Sequence, residues 1–141
     1  MAVRCVDASF VVAWLLPDTR TPAVMEAWQA FEEGRDDFVA PPLLYPETIS
    51  AIRQVVHRGN LTLDEGQAIV DDFLALAIPT PVPTRLYQHA YILATRFRQP
   101  KAYDATYLAL ANILSCELLT LDARLFNAVA DDFPFIRLVR V

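Results

Sequence analysis

The sequence predicts an α/β fold, a three-layer α/β/α sandwich in which helices cover both faces of a central, mostly parallel sheet. Short apolar segments alternate with longer segments of helical periodicity along the 141 residues, and this alternation is typical of successive βα units. The length corresponds to one domain, residues 1–141, that is large enough to bury its own core. In folds of this class, ligands bind beyond the carboxyl ends of the strands.

The first half of the chain contains clear signals for where helices begin and end. Pro17 stops the first helix, Thr21 and Pro22 are favoured at a helix start, and Gly34 and Gly59 are favoured just after a helix end. The predicted elements are a strand over 3–7, helices over 9–16 and 23–33, a strand over 38–40, and a helix over 43–58.

The second half follows the same alternation. Thr62 and Glu65 form a capping box that opens a helix, and Thr84 is expected to cap the next one. Prolines at every second position from 79 to 83 restrict the segment 78–82 to an edge strand or an extended connection. The remaining predicted elements are helices over 62–77, 84–97, 102–115 and 123–130, and strands over 117–121 and 136–141.

Composition excludes several classes of protein. With 55% hydrophobic residues the chain is too apolar to be disordered. It contains no uninterrupted apolar stretch of the roughly 18–20 residues that a membrane helix needs, and no signal-peptide pattern at its start. We therefore expect a cytoplasmic protein without membrane contact. Cys5 and Cys116 lack zinc-ligand spacing and are expected to be buried, reduced thiols.

Four acidic residues lie inside or at the end of apolar segments: Asp7, Glu47, Asp104 and Asp122. A carboxylate beside apolar neighbours is costly unless a cation or hydrogen-bond donors compensate its charge. Two of them end predicted strands and two lie near helix starts, which places all four at the same edge of the sheet. Together they predict a metal site.

The chemistry of the predicted site follows from its ligands. Carboxylate oxygens without histidine or cysteine favour Mg²⁺ or Mn²⁺ over zinc, and such a site is suited to phosphodiester hydrolysis. The net charge of −5 argues at first against a nucleic-acid partner. Since this total includes the four carboxylates, which bound cations would compensate, a phosphodiester substrate stays compatible with the composition.

The four acids lie in four short motifs: Val6-Asp7-Ala8-Ser9, Pro46-Glu47, Tyr103-Asp104-Ala105-Thr106-Tyr107-Leu108-Ala109-Leu110-Ala111 and Leu119-Thr120-Leu121-Asp122. In these segments the chain resembles the PIN-domain ribonucleases, and among them the toxins of VapBC toxin–antitoxin pairs. The resemblance covers nearly the whole chain, including its length and order of elements. It implies a PIN fold and a Mg²⁺- or Mn²⁺-dependent endoribonuclease that is a homodimer, with RNA as its substrate and a small antitoxin protein as its partner.

The resemblance also implies roles for individual residues. The four acids would bind the metal, and Glu47 could instead orient the attacking water. Ser9 would support the site beside Asp7, and Thr120 would orient the last carboxylate, Asp122. Where the family often has asparagine three residues after the helix glutamate, this chain has Ser50.

Basic residues near the predicted site offer a way to hold RNA. We expect Arg98, Lys101 and Arg124 to flank the acidic pocket and contact phosphates, although an ordinary solvated surface would show the same pattern. His57 and His89 have no metal-ligand spacing and are expected at the surface or in packing.

Other interpretations of the acidic residues stay open at the level of sequence. Asp7 and Asp122 could cap the helices that follow them, a role compatible with metal binding. A phosphatase of the haloacid-dehalogenase kind needs a second acid where this chain has Ser9. The remaining alternatives are a non-catalytic PIN-like module that binds metal or an antitoxin, and a structure-specific DNA nuclease.

Overall fold

The computed structural model describes residues 2–140, which contain four strands and seven α-helices. A short 3₁₀ turn, Pro17–Thr19, follows the first helix. In chain order the elements are β1 (Ala2–Val6), α1 (Ala8–Leu15), α2 (Pro22–Glu32), β2 (Asp36–Val39), α3 (Leu44–His57), α4 (Leu63–Ala75), α5 (Leu86–Arg96), α6 (Tyr103–Ile113), β3 (Glu117–Thr120), α7 (Ala123–Val129) and β4 (Ile136–Leu138).

The four strands form one sheet in the order β2-β1-β3-β4, and every neighbouring pair is parallel. Cys5 lies opposite Val39 on one side and Leu118 on the other. The predicted α/β fold with a mostly parallel sheet is therefore confirmed. Because β1 and β3 are the two central strands, the residues that follow them meet in the middle of the carboxyl edge.

Helix α6 passes through the core and carries the third of the four acids at its start. Residues 105–111 are seven consecutive buried positions, so the helix is covered on all sides. Alanine at three of these positions lets neighbouring elements approach closely. A helix enclosed in this way holds the residues at its start in a fixed position relative to the sheet.

A cluster of aromatic rings forms the other part of the core. Trp28 of α2 is fully buried and packs against Phe10 of α1, Phe38 of β2 and Trp14, with ring centroids 5.0–5.7 Å apart. This packing anchors α1 to the sheet, and α1 begins directly after the first of the four acids.

After the proline-rich segment in the middle of the chain, α5 begins at a different residue from the one predicted. Residues 78–82 are an extended connection, one of the two alternatives predicted, as is usual where alternate residues lack an N–H donor. The prediction that Thr84 caps the following helix is wrong, because the helix begins at Leu86 after Arg85, a residue with φ of 71°. The backbone N–H of Leu86 instead donates to the carbonyl of Pro83.

Other boundaries differ by a few residues. The capping box of Thr62 and Glu65 is present, with both hydrogen bonds formed. The last strand, predicted over 136–141, ends at Leu138, and Val141 lies outside the described residues. Between residues 2 and 140, none of the helices has the length and apolar character that crossing a membrane requires.

Candidate active site

Asp7 follows β1 directly and is the N-cap of α1. Its Oδ1 accepts hydrogen bonds from the Ser9 hydroxyl at 2.6 Å and from the Phe10 backbone N–H at 3.0 Å, and its Oδ2 accepts one from the Thr120 hydroxyl. The side chain is 6% exposed. Donors from α1 and from β3 therefore fix this carboxylate in one orientation.

Ser9 and Thr120 also tie the loop after β3 to Asp7. The hydroxyl of Thr120, which is fully buried, accepts from the backbone N–H of Asp122 at 3.0 Å. The hydroxyl of Ser9 accepts from the backbone N–H of Leu121 at 2.9 Å. These bonds connect two segments that are more than 100 positions apart in the sequence. Ser9 lies on Asp7, as the resemblance implies. Thr120, expected to orient the carboxylate of Asp122, instead donates to the carboxylate of Asp7 and bonds only the backbone of Asp122.

Glu47 lies in the first turn of α3 and is half-buried. Its Oε1 accepts a hydrogen bond of 2.6 Å from the hydroxyl of Tyr107, a core residue of α6. Burial and the neighbouring Glu47 carboxylate raise the pKa of Tyr107 well above its usual value, so the hydroxyl stays protonated as a donor. Tyr107 therefore orients Glu47.

Asp104 and Asp122 complete the set of acids. Asp104 lies in the first turn of α6, and Asp122 is the N-cap of α7, where its Oδ1 accepts from the backbone N–H of Leu125 at 3.1 Å. Both are half-buried, and with Glu47 they line one cleft of about 710 Å³. We call it the acidic cleft. Asp7 and Asp122 therefore do cap helices, and Asp122 caps its helix while it also lines the cleft.

The electrostatics of the site reflect burial and mutual repulsion. Burial raises the pKa of Asp7 to about 6, although its three hydrogen bonds act in the opposite direction, and the charge of Asp104 adds to the rise. Burial also raises the pKa of Glu47 and of Asp104. The negative charge of Asp122 raises the pKa of Asp104 further, and the positive charge of Arg124 lowers it. The carboxylates are therefore close enough to influence one another.

Two of the three predicted basic residues border the acidic cleft. Lys101 and Arg124 line it, and neither forms an ion pair with any residue in the range 2–140. Arg98 does not line it; this residue lies in the turn after α5, is exposed and has φ of 56°. The prediction that Arg98 flanks the pocket is therefore not supported by its position.

The donor set fits a hard divalent cation, because the side chains that converge on the acidic cleft offer carboxylate oxygens. Among residues 2–140, however, no three acidic, histidine or cysteine side chains lie close enough together to hold one ion at the same time. Like charges around one cleft repel each other. Binding of a cation would have to draw these side chains together.

The other predicted residues lie outside this arrangement. His57 is in the last turn of α3, His89 is hydrogen-bonded to Asn112 at 2.8 Å, and neither lines the acidic cleft. Cys5 and Cys116 are buried, free thiols, as expected. Ser50 is exposed and lines a shallow concavity that it shares with Glu47.

Tyr107 is a part of this site to which the sequence assigns no role. It occurs in the motif around Asp104, three positions after the acid, and one helical turn places it beside that residue. The spacing is a signal that could have found it, since a buried tyrosine needs a hydrogen-bond partner. The identity of that partner, Glu47 of another helix, depends on the packing of α3 against the core.

The chain matches a known domain family. The family model described as PIN domain matches residues 4–132, and the chain therefore belongs to the PIN domain family. Two similar proteins are the VapC ribonuclease Mb0985 of Mycobacterium bovis and the ribonuclease VapC9 of Mycobacterium tuberculosis. Each is 29% identical over 120 residues, which cover 85% of this chain and 86% of the relative.

A solved structure supports the same fold. The crystal structure of Mycobacterium tuberculosis VapC20, described as a Sarcin-Ricin loop cleaving toxin, superimposes with a TM-score of 0.66. The match covers 98% of this chain and 99% of that one at 19% sequence identity. At this identity the likeness establishes a shared fold.

Proposed function

We propose that this protein is a metal-dependent endoribonuclease that hydrolyses RNA phosphodiester bonds as the toxin of a toxin–antitoxin pair. The observation that carries the proposal is the convergence of Glu47, Asp104 and Asp122 on one cleft, beside the buried Asp7, in a PIN domain. The relatives named VapC ribonuclease support RNA as the substrate.

Asp7, Asp104 and Asp122 would hold Mg²⁺ or Mn²⁺, with Glu47 as a further ligand or as the acceptor that orients the attacking water. The chemistry that such an ion supplies is activation of water near neutral pH and neutralisation of charge on a phosphate. A cation competes with a proton for Asp7, and burial raises the pKa of Asp7 to about 6 in the metal-free protein, so the affinity for the cation should rise as the pH passes that value.

The chain's own residues would position the reactants. Ser9 and Thr120 hold Asp7 in one orientation, and Tyr107 leaves the second oxygen of Glu47 available to accept a proton from water. Lys101 and Arg124 supply positive charge at the border of the same cleft, where they would contact RNA phosphates. Because Asp7 and Glu47 are already oriented by these hydrogen bonds, less of the cost of reaching the transition state goes into orienting them.

The partners are proposed from the resemblance and from the names of the relatives. We propose a small antitoxin protein that obstructs the acidic cleft, a homodimeric assembly, and a cytoplasmic location. Sedimentation of the purified chain with and without a co-expressed partner tests the assembly. A monomer at all concentrations would contradict the homodimer and leave the proposed nuclease activity untouched.

The decisive experiment is cleavage of total RNA by the purified protein with Mg²⁺ or Mn²⁺. An EDTA reaction and the Asp7→Asn variant serve as negative controls, and Asp18→Asn is the matched control, because Asp18 is an exposed aspartate of the 3₁₀ turn. Discrete fragments from the parent and from Asp18→Asn, absent in EDTA and with Asp7→Asn, are expected.

Two results would contradict the proposal. Intact RNA under all conditions, with metal binding shown by calorimetry, would indicate a non-catalytic module. Faster cleavage of flapped DNA than of single-stranded RNA would indicate a DNA nuclease.

A further inference from the structure

A second groove, of about 720 Å³, lies beside the acidic cleft where α3, α5 and α6 begin. It is lined mainly by apolar and aromatic side chains, and we call it the aromatic groove. Those that matter here are Pro42, Pro46, Tyr87, Lys101 and Tyr103. Concave sites of this size and character commonly bind organic groups.

Two tyrosines of the aromatic groove are open to solvent. Tyr87 of α5 and Tyr103 of α6 are each 57% exposed. Tyr45 and Tyr107, by contrast, pack into the core and use their hydroxyls in hydrogen bonds. Exposed aromatic rings that line one groove keep apolar surface in water, and such surface often marks a binding site.

The aromatic groove adjoins the acidic cleft. Lys101 and Tyr103 line both of them, and Tyr103 directly precedes Asp104 in the sequence. A nucleic-acid chain that presents one phosphate to the acids would therefore have its neighbouring nucleotide at this groove, with Lys101 at the boundary between the two.

We propose that the aromatic groove binds a base of single-stranded RNA next to the scissile phosphate, in contact with the rings of Tyr87 and Tyr103. Unstacked bases of single-stranded RNA are commonly held on aromatic side chains, while cationic side chains contact the phosphates. The groove combines these features: aromatic rings, apolar walls, and one lysine at the border with the cleft. The inference rests on the proposed ribonuclease function and adds to it the site that receives a base.

The test is a binding measurement in EDTA, which keeps the RNA intact. The probes are a short oligoadenylate and an abasic oligomer of the same length, which has the phosphates but no bases. Tyr87→Ala should bind oligoadenylate about 5- to 150-fold more weakly than the parent, the range expected when stacking on one base is removed. It should bind the abasic oligomer as the parent does.

Matched variants separate stacking from other effects. Tyr91→Ala is the control, because Tyr91 lies one turn further along α5 and is 72% exposed but does not line the groove. It should bind both probes like the parent. Tyr87→Phe, which keeps the ring, should retain most of the affinity. Tyr87→Leu keeps apolar volume without a ring and should lose the affinity for oligoadenylate. It replaces Tyr87→Ala if the alanine variant does not fold.

Several outcomes would overturn the inference. If the parent cuts RNA and Tyr87→Ala binds oligoadenylate as tightly as Tyr91→Ala does, the groove does not receive a base, although the ribonuclease stands. Equal weakening for both probes would mean that Tyr87 acts on the backbone. Weaker antitoxin binding with unchanged RNA binding would make the groove a protein-binding surface. If the parent neither binds nor cuts RNA, the proposed function fails, and this inference fails with it.

Discussion

The hydroxyl of Tyr107 donates a 2.6 Å hydrogen bond to Oε1 of Glu47 and so joins the buried helix α6 to the first turn of α3. Tyr107 is 1% exposed, so the packing of the core holds its ring in place. The bond therefore transmits the rigidity of the core to a half-buried carboxylate at the edge of the acidic cleft. Glu47 owes its orientation to a residue 60 positions away.

Replacing Tyr107 with phenylalanine should change the pH dependence of cleavage. The hydrogen bond lowers the pKa of Glu47, against the effects of burial and of Asp104, so its removal should move the acid limb of the rate profile to higher pH. We expect a rate about 3- to 30-fold below the parent near pH 7, comparable to the removal of one hydrogen bond. Single-turnover cleavage across the pH range measures both effects.

The matched control for that change is Tyr45→Phe, because Tyr45 donates to the carbonyl of Ile78 at 2.8 Å, outside the site. It removes the same hydroxyl group at comparable cost and should leave the pH profile where it was. An identical profile for the two variants would show that Tyr107 has only a structural role.

Replacing Asp7 with asparagine should stabilise the metal-free protein at alkaline pH while abolishing cleavage. Burial raises the pKa of Asp7 to about 6, so the folded state favours the protonated acid. This preference for the protonated acid stabilises the folded state fully below about pH 4, and the stabilisation is lost as the pH rises through about 6. At pH 8 the variant should gain about 1–3 kcal/mol in the free energy of unfolding, and near pH 4 the two proteins should be nearly equal.

Urea denaturation in EDTA at the two pH values measures this difference, with Asp18→Asn as the control for the change of residue type. Equal stabilities at pH 8 would mean that the hydrogen bonds from Ser9, Phe10 and Thr120 compensate the buried charge completely.

The hydroxyl of Thr120 can be tested separately from the shape of its side chain. It donates to Asp7 and accepts from the backbone N–H of Asp122, and Thr120→Val leaves both groups without that partner in a buried site. We expect a decrease of about 1–3 kcal/mol in the free energy of unfolding and a slower reaction. Thr120→Ser keeps the hydroxyl and should retain most of the activity. Similar activity in the valine and serine variants would exclude a role for the hydroxyl.

The basic residues at the acidic cleft should determine the salt dependence of RNA binding. Replacement of Lys101 or Arg124 by glutamine should weaken binding and reduce the slope of log affinity against log salt by about 0.7 for each phosphate that the variant no longer neutralises. Arg98→Gln removes the same charge outside the cleft and should leave the slope unchanged. Fluorescence anisotropy with a short RNA over a salt series provides the slopes. If all three variants have the slope of the parent, Lys101 and Arg124 do not bind phosphates.

The sheet and the shared position of the acids are predictable from sequence because strong local signals carry that information. An apolar segment that ends in Asp7 and another followed by Asp122 predict two strands with acids at the same edge, and β1 and β3 are indeed adjacent and parallel. Glu47 and Asp104 lie in first turns of their helices, as expected.

What the sequence could not predict depends on packing between distant segments. No spacing indicates that Tyr107 reaches Glu47, or that Lys101 lines the cleft while Arg98 does not. The start of α5 differs from the prediction because Thr84 has the residue type of a cap, whereas the backbone reaches the helix through a left-handed Arg85. A residue type favours a cap, but the path of the preceding prolines decides where the helix can begin.

The hydrogen bond from Thr120 to Asp7 also bears on the order in which the protein is synthesised. Strand β1 is made first, yet one of its two neighbours, β3, begins only at Glu117. A nascent chain that stops before this point has Asp7 and Glu47 but neither the donor that completes the buried carboxylate nor Asp122. A prematurely terminated chain therefore cannot assemble the four acids, and the proposed nuclease activity can begin only when synthesis of the domain is nearly finished.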